Sequence, residues 1–399
     1  MIFLLLLGVP CGLAHLYLWK RLVRDTTRTA RGRKLGTAAI VGMFVVLIGA
    51  LGGVRRVSPE LAVVLAWPGY FWLAMTLYLT LFMAVLEVPR AVLNRRWRRV
   101  QVPTTVGAPA DEPEAEAPAG PVDTSRRLFI ARSLAVAGGL AATGIVGYGA
   151  TQALGGPQLK RVPIALAKLD PRLAGFRIAV VSDIHLGPLA GRSHTERVVS
   201  AINGMEPDLV AIVGDLVDGS VEELGEAAAP LRDLVSKQGS FFVTGNHEYF
   251  SGAQPWLAEV SRLGVHPLRN ERLTIARGGA SFDLAGVNDV TGRNYGDSPD
   301  MAKALDGRDT SRPVVMLAHQ PVQAVEAAKL GVDLQLSGHT HGGQMWPFNY
   351  VVTLQQPIVS GLGEVDGMPV YVSNGAGFWG PPVRVGAPSD VTLVELRTA

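Results

Sequence analysis

The sequence predicts an α/β domain preceded by an apolar, all-α transmembrane region. Hydrophobic residues make up 48% of the 399-residue chain, and the excess lies before residue 155. The second half instead alternates short apolar runs with stretches that resemble helices. About 240 residues follow Leu154, which is enough for one substantial α/β core rather than several small domains.

Three apolar runs near the N-terminus are each long enough for a helix to cross a hydrocarbon core of about 30 Å. They cover residues 2–19, 35–54 and 61–88, and they predict a transmembrane region over residues 1–99. No charge precedes the first run, so we expect a retained anchor rather than a cleaved signal peptide. A fourth run, 133–154, is rich in Gly and Ala and is less hydrophobic than the first three. It predicts a fourth apolar helix within residues 125–156.

Basic residues flank these runs in the pattern that orients membrane proteins. Seven Lys and Arg lie in residues 20–34 and five Arg in residues 90–99, so both segments are predicted to be cytoplasmic. The acidic Pro/Ala stretch 100–124 has no periodicity and predicts a disordered linker. If the fourth run crosses the cytoplasmic membrane, the α/β domain over residues 157–399 lies on the extracytoplasmic side.

A pair of arginines precedes the fourth apolar run, in the order Ser125-Arg126-Arg127-Leu128-Phe129. This order resembles a twin-arginine export signal, which would carry a folded domain across the membrane. An ordinary basic flank that holds the fourth helix in place explains it equally well.

Charge is divided unevenly along the chain. Up to Arg132 there are 17 Lys and Arg against 8 Asp and Glu, and beyond it 20 against 26. The excess of basic residues therefore lies in the part of the chain that is predicted to set membrane topology. The acidic second half argues against general nucleic-acid binding. Cys11 is the chain's one cysteine, which excludes an intramolecular disulfide.

Five apolar runs of the second half predict buried strands, over residues 178–182, 209–213, 241–244, 314–317 and 334–337. Helix-like stretches lie between them, at residues 194–203, 222–236, 256–263 and 322–330. In open α/β sheets ligands bind beyond the carboxyl ends of the strands. The residues that follow these runs are therefore expected to converge: Asp183, His185, Asp215, Asn246, His247, His319, His339 and His341.

These side chains are the ligands that two divalent cations require in a nitrogen and oxygen site. They comprise carboxylates, imidazoles and one amide oxygen, without a thiolate. Such a site suits Mn, Fe or Zn. Two cations held close together activate water and stabilise charge on a phosphoryl group, so the residues predict metal-dependent phosphoester hydrolysis.

The order of the motifs resembles the calcineurin-like metallophosphoesterase superfamily, and in particular its membrane-anchored bacterial phosphodiesterase branch. The motifs are Asp-x-His, Gly-Asp-x-x-Asp, Gly-Asn-His-Glu, His and Gly-His-x-His, and the resemblance covers about residues 176–397. It implies a fold of two sheets packed face to face, a β-sandwich, with helices outside. It also implies ligands for one metal (Asp183, His185, His341), ligands for the other (Asn246, His319, His339) and a bridging Asp215.

Two further roles follow from the same resemblance. His247 matches the family's non-ligand histidine, which contacts the phosphate and protonates the leaving group, a role worth about 10² to 10⁴ in rate. Asp218 completes the Gly-Asp-x-x-Asp motif, and we interpret it as orienting its neighbours rather than binding metal.

The substrate is predicted from location. A membrane-tethered site favours a phosphodiesterase or pyrophosphatase acting on a lipid-linked or cell-envelope phosphoester, with membrane lipids as partners. A nucleotide or phosphoprotein phosphatase is the enzymatic alternative, because specificity depends on loops that the motifs do not describe. A membrane-bound binding module that retains the fold without catalysis is an alternative of another class.

Four further residues lie near the motifs or in aromatic segments. A helix cap and a place at the rim of the site are alternatives for His194, which we expect at the surface. We expect Tyr249, Trp379 and Arg384 to serve packing rather than to face substrate. The mostly apolar segment 345–365 predicts either a lid or substrate wall, or an ordinary packed extension.

Overall fold

The computed structural model describes residues 2–100 and 124–399. The chain divides into two compact units: Met1–Val57 with Trp67–Gly147, and Ser58–Ala66 with Tyr148–Ala399. The predicted linker 100–124 falls, apart from its two end residues, outside the described residues. The domain boundaries 1–99, 125–156 and 157–399 stay predictions.

The described residues up to Leu154 are mainly helical. The helices are α1 Ile2–Leu18, α2 Ala30–Gly53, α3 Pro59–Val85, α4 Glu87–Val100 and α5 Thr124–Leu154, with a π-helical turn at Trp19–Arg24. Within the described residues, three helical stretches are long and apolar enough to cross a membrane: Ala30–Gly53, Glu60–Leu93 and Ser125–Leu154. Helix α1 has only 17 residues and is not among them, so its predicted span stays a prediction.

The second unit contains twelve strands, paired into two six-stranded sheets. They are β1 Gln158–Leu166, β2 Phe176–Val181, β3 Leu209–Ile212, β4 Ser240–Phe242, β5 Val265–Pro267, β6 Glu271–Arg277, β7 Ala280–Gly286, β8 Val314–Leu317, β9 Leu334–Ser337, β10 Gly361–Val365, β11 Met368–Val372 and β12 Asp390–Thr398. The first sheet has the order β1-β12-β2-β3-β4-β5, and the second has the order β10-β11-β9-β8-β7-β6.

Helices of the second unit lie between the strands in sequence. They are α6 Arg192–Asn203, α7 Val221–Ala228, α8 Asn246–Ser251, α9 Ala253–Arg262, α10 Met301–Leu305, α11 Ala324–Lys329 and α12 Asn349–Val352. Short 3₁₀ turns occupy Pro171–Leu173, Ala229–Asp233, Val290–Tyr295, Pro321–Gln323 and His341–Gly343.

The two sheets pack face to face, as the family resemblance implies. Ile178 and Phe241 of the first sheet share one buried apolar cluster with Phe282 and Val315 of the second. Helices cover the other face of the first sheet, where Val198 and Trp256 pack against the strands. The predicted two-sheet fold with outer helices is therefore confirmed.

The predicted strands agree with the observed ones to within two residues at each end, but one predicted helix is wrong. The stretch 222–236 is helical only to Ala228, where α7 ends, and a 3₁₀ turn follows over Ala229–Asp233. Pro230 lies in that turn and has no backbone N–H, so the α-helical hydrogen-bond ladder does not continue through it.

Strand direction brings the ligand-bearing loops to one edge. β2, β3 and β4 run parallel in the first sheet, and β7, β8, β9 and β11 run parallel in the second. The carboxyl ends of parallel strands lie at one edge of a sheet, where ligands bind in open α/β folds. Both sheets thus contribute loops to a common site.

Candidate metal centre

All the predicted site residues directly follow the carboxyl ends of five strands. Loops after neighbouring strands are tied together by their backbones: Asp183 N donates to Gly214 O at 3.0 Å, and Gly338 N donates to His319 O at 3.0 Å. The loops therefore extend the order of the sheets into the site.

Left-handed backbone conformations are concentrated at these loops. Five predicted ligands have positive φ angles between 48° and 70°: Asp183, His185, Asp215, His339 and His341. For residues other than glycine this region costs on the order of 1 kcal/mol or more each, and it persists only where the surroundings impose it. Close packing imposes it here, since a Cβ on Gly375 would lie 2.5 Å from Cβ of Asp183.

One group of ligand atoms is formed by Asp183, His185 and His341, whose ligand atoms all lie within 4.8 Å of one another. The Nε2 atoms of the two histidines are 3.0 Å apart, and Asp183 Oδ1 lies 3.3 Å from His341 Nε2. The structure thus brings together the three side chains predicted for one metal.

A second group is formed by Asp215, His319 and His339. His319 Nε2 lies 3.2 Å from Asp215 Oδ2, and Asn246 Oδ1 lies 2.9 Å from His339 Nδ1. Asp215 Oδ2 also lies 3.8 Å from His185 Nε2. Asp215 therefore stands between the two predicted ligand sets, where a bridging carboxylate has to be.

Asp218 lies behind the rings of His185 and His247. Its carboxylate accepts from His185 Nδ1 at 3.2 Å and from His247 Nδ1 at 2.5 Å. Burial opposes the charge on Asp218, but the two rings outweigh burial and lower its pKa below the ordinary range. The Nδ1 contacts leave the Nε2 atoms of both histidines directed toward the site, and His247 Nε2 lies 4.0 Å from Asp215 Oδ2.

Glu248 is a positioning residue that sequence reasoning missed. Its fully buried carboxylate accepts backbone N–H groups from Gly245 at 2.6 Å, Asp215 at 3.0 Å and Leu216 at 2.7 Å. Burial, and then the nearby Asp215, raise its pKa to about 7. The available signal was its place three residues after Gly245, where a glutamate caps a helix start.

Arg384 is the second residue whose role was missed. Its guanidinium is completely buried and donates to the carbonyl oxygens of Gly377 at 2.6 Å and Asn374 at 2.8 Å, and it lies 3.2 Å from His341 Nδ1. Burial lowers its pKa to about 10. It therefore holds the loop that packs against Asp183 and the ring of His341 together.

His194 does not lie at the surface, so that expectation is wrong. Its side chain is buried, and burial followed by the charges of Arg197 and Arg384 lowers its pKa to about 4. The reason is that the face of α6 that carries His194 also carries Val198 and packs on the first sheet.

The aromatic residues named from the sequence differ in their surroundings. Tyr249 is buried and donates its hydroxyl to Asp297 Oδ2 at 3.0 Å. Trp379 and Phe250 are partly exposed and flank the ring of His247, with ring centroids 6.0 Å and 5.5 Å away.

The residues present fit divalent cations. His319 donates Nδ1–H to Val213 O at 2.7 Å, so its buried Nε2 is directed at Asp215 Oδ2, 3.2 Å away, and in the neutral ring this atom is free to bind a cation. Asp183 Oδ1 is also buried, and it has no hydrogen-bond partner. Burial disfavours a charged His185 ring, but Asp218 and Asp183 outweigh it and raise its pKa to about 10, which reports a negative potential that also favours a cation. Bound divalent cations supply an activated water and positive charge against phosphoryl oxygens.

Two facing sheets with a buried cluster of histidine and aspartate at their strand ends form a candidate metal centre. A family model described as calcineurin-like phosphoesterase matches residues 176–343. An uncharacterized metallophosphoesterase from Helicobacter pylori is 40% identical over 275 residues, which cover 68% of this chain and 72% of that protein. The chain belongs to the calcineurin-like metallophosphoesterase family.

Two further comparisons show how far the similarity extends. A transmembrane protein with metallophosphoesterase domain from Bos taurus is 38% identical over 293 residues, 70% of this chain. This chain spans 65% of that relative, less than two thirds of its length. A solved dimetal phosphatase from Danio rerio is 14% identical with a TM-score of 0.36, and the match covers 56% of this chain and 93% of that one.

Two substitutions separate metal binding from proton transfer. Asp215→Asn removes a charge from between the two ligand groups, so bound metal and turnover should be lost together. His247→Ala leaves both predicted ligand groups intact, so metal content should be retained while kcat falls about 10²-fold or more. Elemental analysis and hydrolysis of bis-(p-nitrophenyl) phosphate on the same preparations test this. Full turnover in both variants would contradict the assignment.

Metal removal should destabilise the protein, because the buried Asp183 and Asp215 carboxylates then lose their countercharge. Treatment with a chelator is expected to lower the thermal midpoint by several degrees, and adding Mn²⁺ or Zn²⁺ should restore it. Differential scanning fluorimetry measures the shift, with Asp215→Asn as the control that should respond little. An unchanged midpoint in the parent chain would argue against a structural role for the cations.

Proposed function

We propose that the protein is a membrane-anchored phosphodiesterase or pyrophosphatase acting on a lipid-linked or cell-envelope phosphoester. The observation that carries the proposal is continuity of the chain. The candidate membrane span Ser125–Leu154 ends three residues before β1, the first strand of the domain that holds the metal centre. A relative named as a transmembrane protein with a metallophosphoesterase domain supports membrane association.

The site's own residues supply acid catalysis. Asp218 accepts from Nδ1–H of His247, and the imidazolium form of this ring can pass its Nε2 proton to the leaving oxygen of the phosphoester, which leaves a neutral imidazole. Asp215 Oδ1 accepts from the backbone N–H of His247 at 2.8 Å and so fixes this histidine relative to the ligand groups. The exposed faces of Phe250 and Trp379 beside His247 provide an apolar wall suited to a substrate with apolar parts.

Two other features of the proposal come from the sequence. The predicted multi-pass topology puts the catalytic domain on the extracytoplasmic side of the cytoplasmic membrane, and the twin-arginine-like motif at Ser125–Phe129 is compatible with export. The native metal pair is Mn, Fe or Zn by ligand chemistry. Nucleotide or phosphoprotein phosphatase activity is the alternative, because the metal centre itself does not select a substrate.

A substrate panel tests the proposed class. We expect the purified full-length chain to cleave hexadecyl p-nitrophenyl phosphate with a kcat/KM about tenfold above that for bis-(p-nitrophenyl) phosphate, because a lipid tail adds apolar contact. A lipid pyrophosphate and p-nitrophenyl phosphate complete the panel, and Asp215→Asn is the inactive control. Faster cleavage of nucleoside monophosphates than of every lipid-tailed compound would instead favour the nucleotidase alternative.

A reporter fusion tests the side of the membrane. A reporter that is active only outside the cytoplasm, fused after Gly156, should be active, because the preceding basic segments are predicted to be cytoplasmic. A reporter active only in the cytoplasm should be silent at the same position. The opposite pair of results would remove the extracytoplasmic assignment.

A further inference from the structure

A short ordered segment follows the metal centre directly. Residues 345–356 are held at both ends by buried glutamines. Gln344 donates Nε2–H to Trp379 O at 3.0 Å, and Gln356 Oε1 accepts from Val322 N at 2.9 Å. The segment is therefore built onto the domain at a defined place, with α12 between the two anchors.

Four apolar side chains of this segment expose about half of their surface or more. Phe348 is 55% exposed, Tyr350 64%, Val351 49% and Leu354 82%. Single exposed apolar residues are ordinary on protein surfaces, but four within seven positions are typical of an interaction site. Tyrosine and phenylalanine at such a place match the composition of surfaces that lie at membrane interfaces.

Hydrogen bonds connect this segment to the end of a candidate membrane span. Trp346 N donates to Val385 O at 2.9 Å, and Arg384 N, one residue earlier, donates to Gly149 O at 2.9 Å. A Cβ on Gly149 would lie 2.6 Å from Val383 Cγ1, so the contact with the helix is close. Gly149 lies five residues before the end of α5, about 7.5 Å along its axis.

This connection fixes the depth of the segment if α5 crosses the bilayer. The apolar run of α5 continues to Leu154, so Gly149 lies at or below the lipid head groups. The loop bonded to Gly149 is then at the same level, together with the segment that pairs with Val385. The segment's apolar side chains would otherwise face water next to a membrane surface.

We propose that residues 346–354 form an interfacial segment that inserts its apolar side chains into the surface of a phospholipid bilayer beside the metal centre. The segment begins five residues after the predicted ligand His341. A phosphoester at the head-group level of the same bilayer therefore meets the site without leaving the membrane. The inference deepens the proposed lipid-linked substrate class, and its kinetic consequence rests on that proposal.

Fluorescent labelling of the full-length chain tests the insertion. Cys11→Ser removes the chain's one cysteine, and Leu354→Cys then provides a unique site for an environment-sensitive label. Val235→Cys is the matched control, because Val235 is 66% exposed and precedes β4, at the sheet edge opposite the metal centre. Both variants are reconstituted into vesicles of phosphatidylcholine and phosphatidylglycerol.

Lipid insertion should quench the Leu354→Cys label with doxyl-labelled lipid on the order of threefold more than the Val235→Cys label, and shift its emission to the blue. Aqueous iodide should quench the control label more strongly. Equal iodide quenching at both positions would overturn the inference. Shielding of the Leu354→Cys label from both quenchers would also overturn it, because a second copy of the chain or another protein then covers the segment.

A kinetic comparison tests the consequence for substrate. The double substitution Phe348→Ser with Leu354→Ser should raise KM for vesicle-embedded hexadecyl p-nitrophenyl phosphate on the order of tenfold. Soluble bis-(p-nitrophenyl) phosphate should be cleaved within about twofold of the parent rate, since neither residue belongs to the ligand groups. Val235→Ser should leave the kinetics with both substrates unchanged. Equal thermal midpoints show that the variants fold.

The two proposals fail in different ways. If the parent chain does not prefer the lipid-tailed diester although the Leu354→Cys label is quenched by lipid, the proposed function fails and the membrane contact stands. If the parent prefers the lipid-tailed diester but the label remains in water, the interfacial segment fails alone.

Discussion

The structure depends on one electrostatic constraint: carboxylate oxygens and imidazole nitrogens converge in a volume from which water is largely excluded. Asp183 and Asp215 are buried, and the Nε2 atoms of His185 and His341 approach to 3.0 Å. Such an arrangement is costly without positive charge, because the buried carboxylates have lost their hydration. Burial opposes a charged His185 ring, but Asp218 and Asp183 raise its pKa, which indicates a negative potential at that ring. Metal binding and the stability of this region are therefore linked.

The two sheets hold this arrangement in place. Their facing surfaces form one apolar core, and the parallel strands deliver five loops to a common edge. The loops adopt left-handed conformations at five ligand positions, which a rigid framework must enforce. Glu248 and Arg384 also hold these loops in place. Glu248 accepts from backbone N–H groups, and Arg384 donates to carbonyl oxygens. Neither Glu248 nor Arg384 is a predicted metal ligand, yet both help to position the ligands.

Arg384 contacts both a predicted metal ligand and a candidate membrane span. Its side chain lies beside His341, and its backbone N–H donates to the carbonyl oxygen of Gly149 in the last turns of α5. One residue thus joins a ligand-bearing loop to a helix that is long and apolar enough to cross a membrane. Both contacts support the lipid-linked phosphoester that we propose as substrate.

The sequence by itself determined five of the twelve strands and the identity of the side chains that gather at the site, because buried strands are continuous apolar runs and ligand chemistry restricts the residue types that follow them. The two-sheet fold was implied by the resemblance of the motifs to a known family. Only the tertiary structure decided the roles of Glu248 and Arg384, the burial of His194 and the early end of α7. The first three depend on which groups lie within hydrogen-bonding or packing distance after folding, and the last depends on the missing N–H of Pro230; no periodicity in the sequence records such distances.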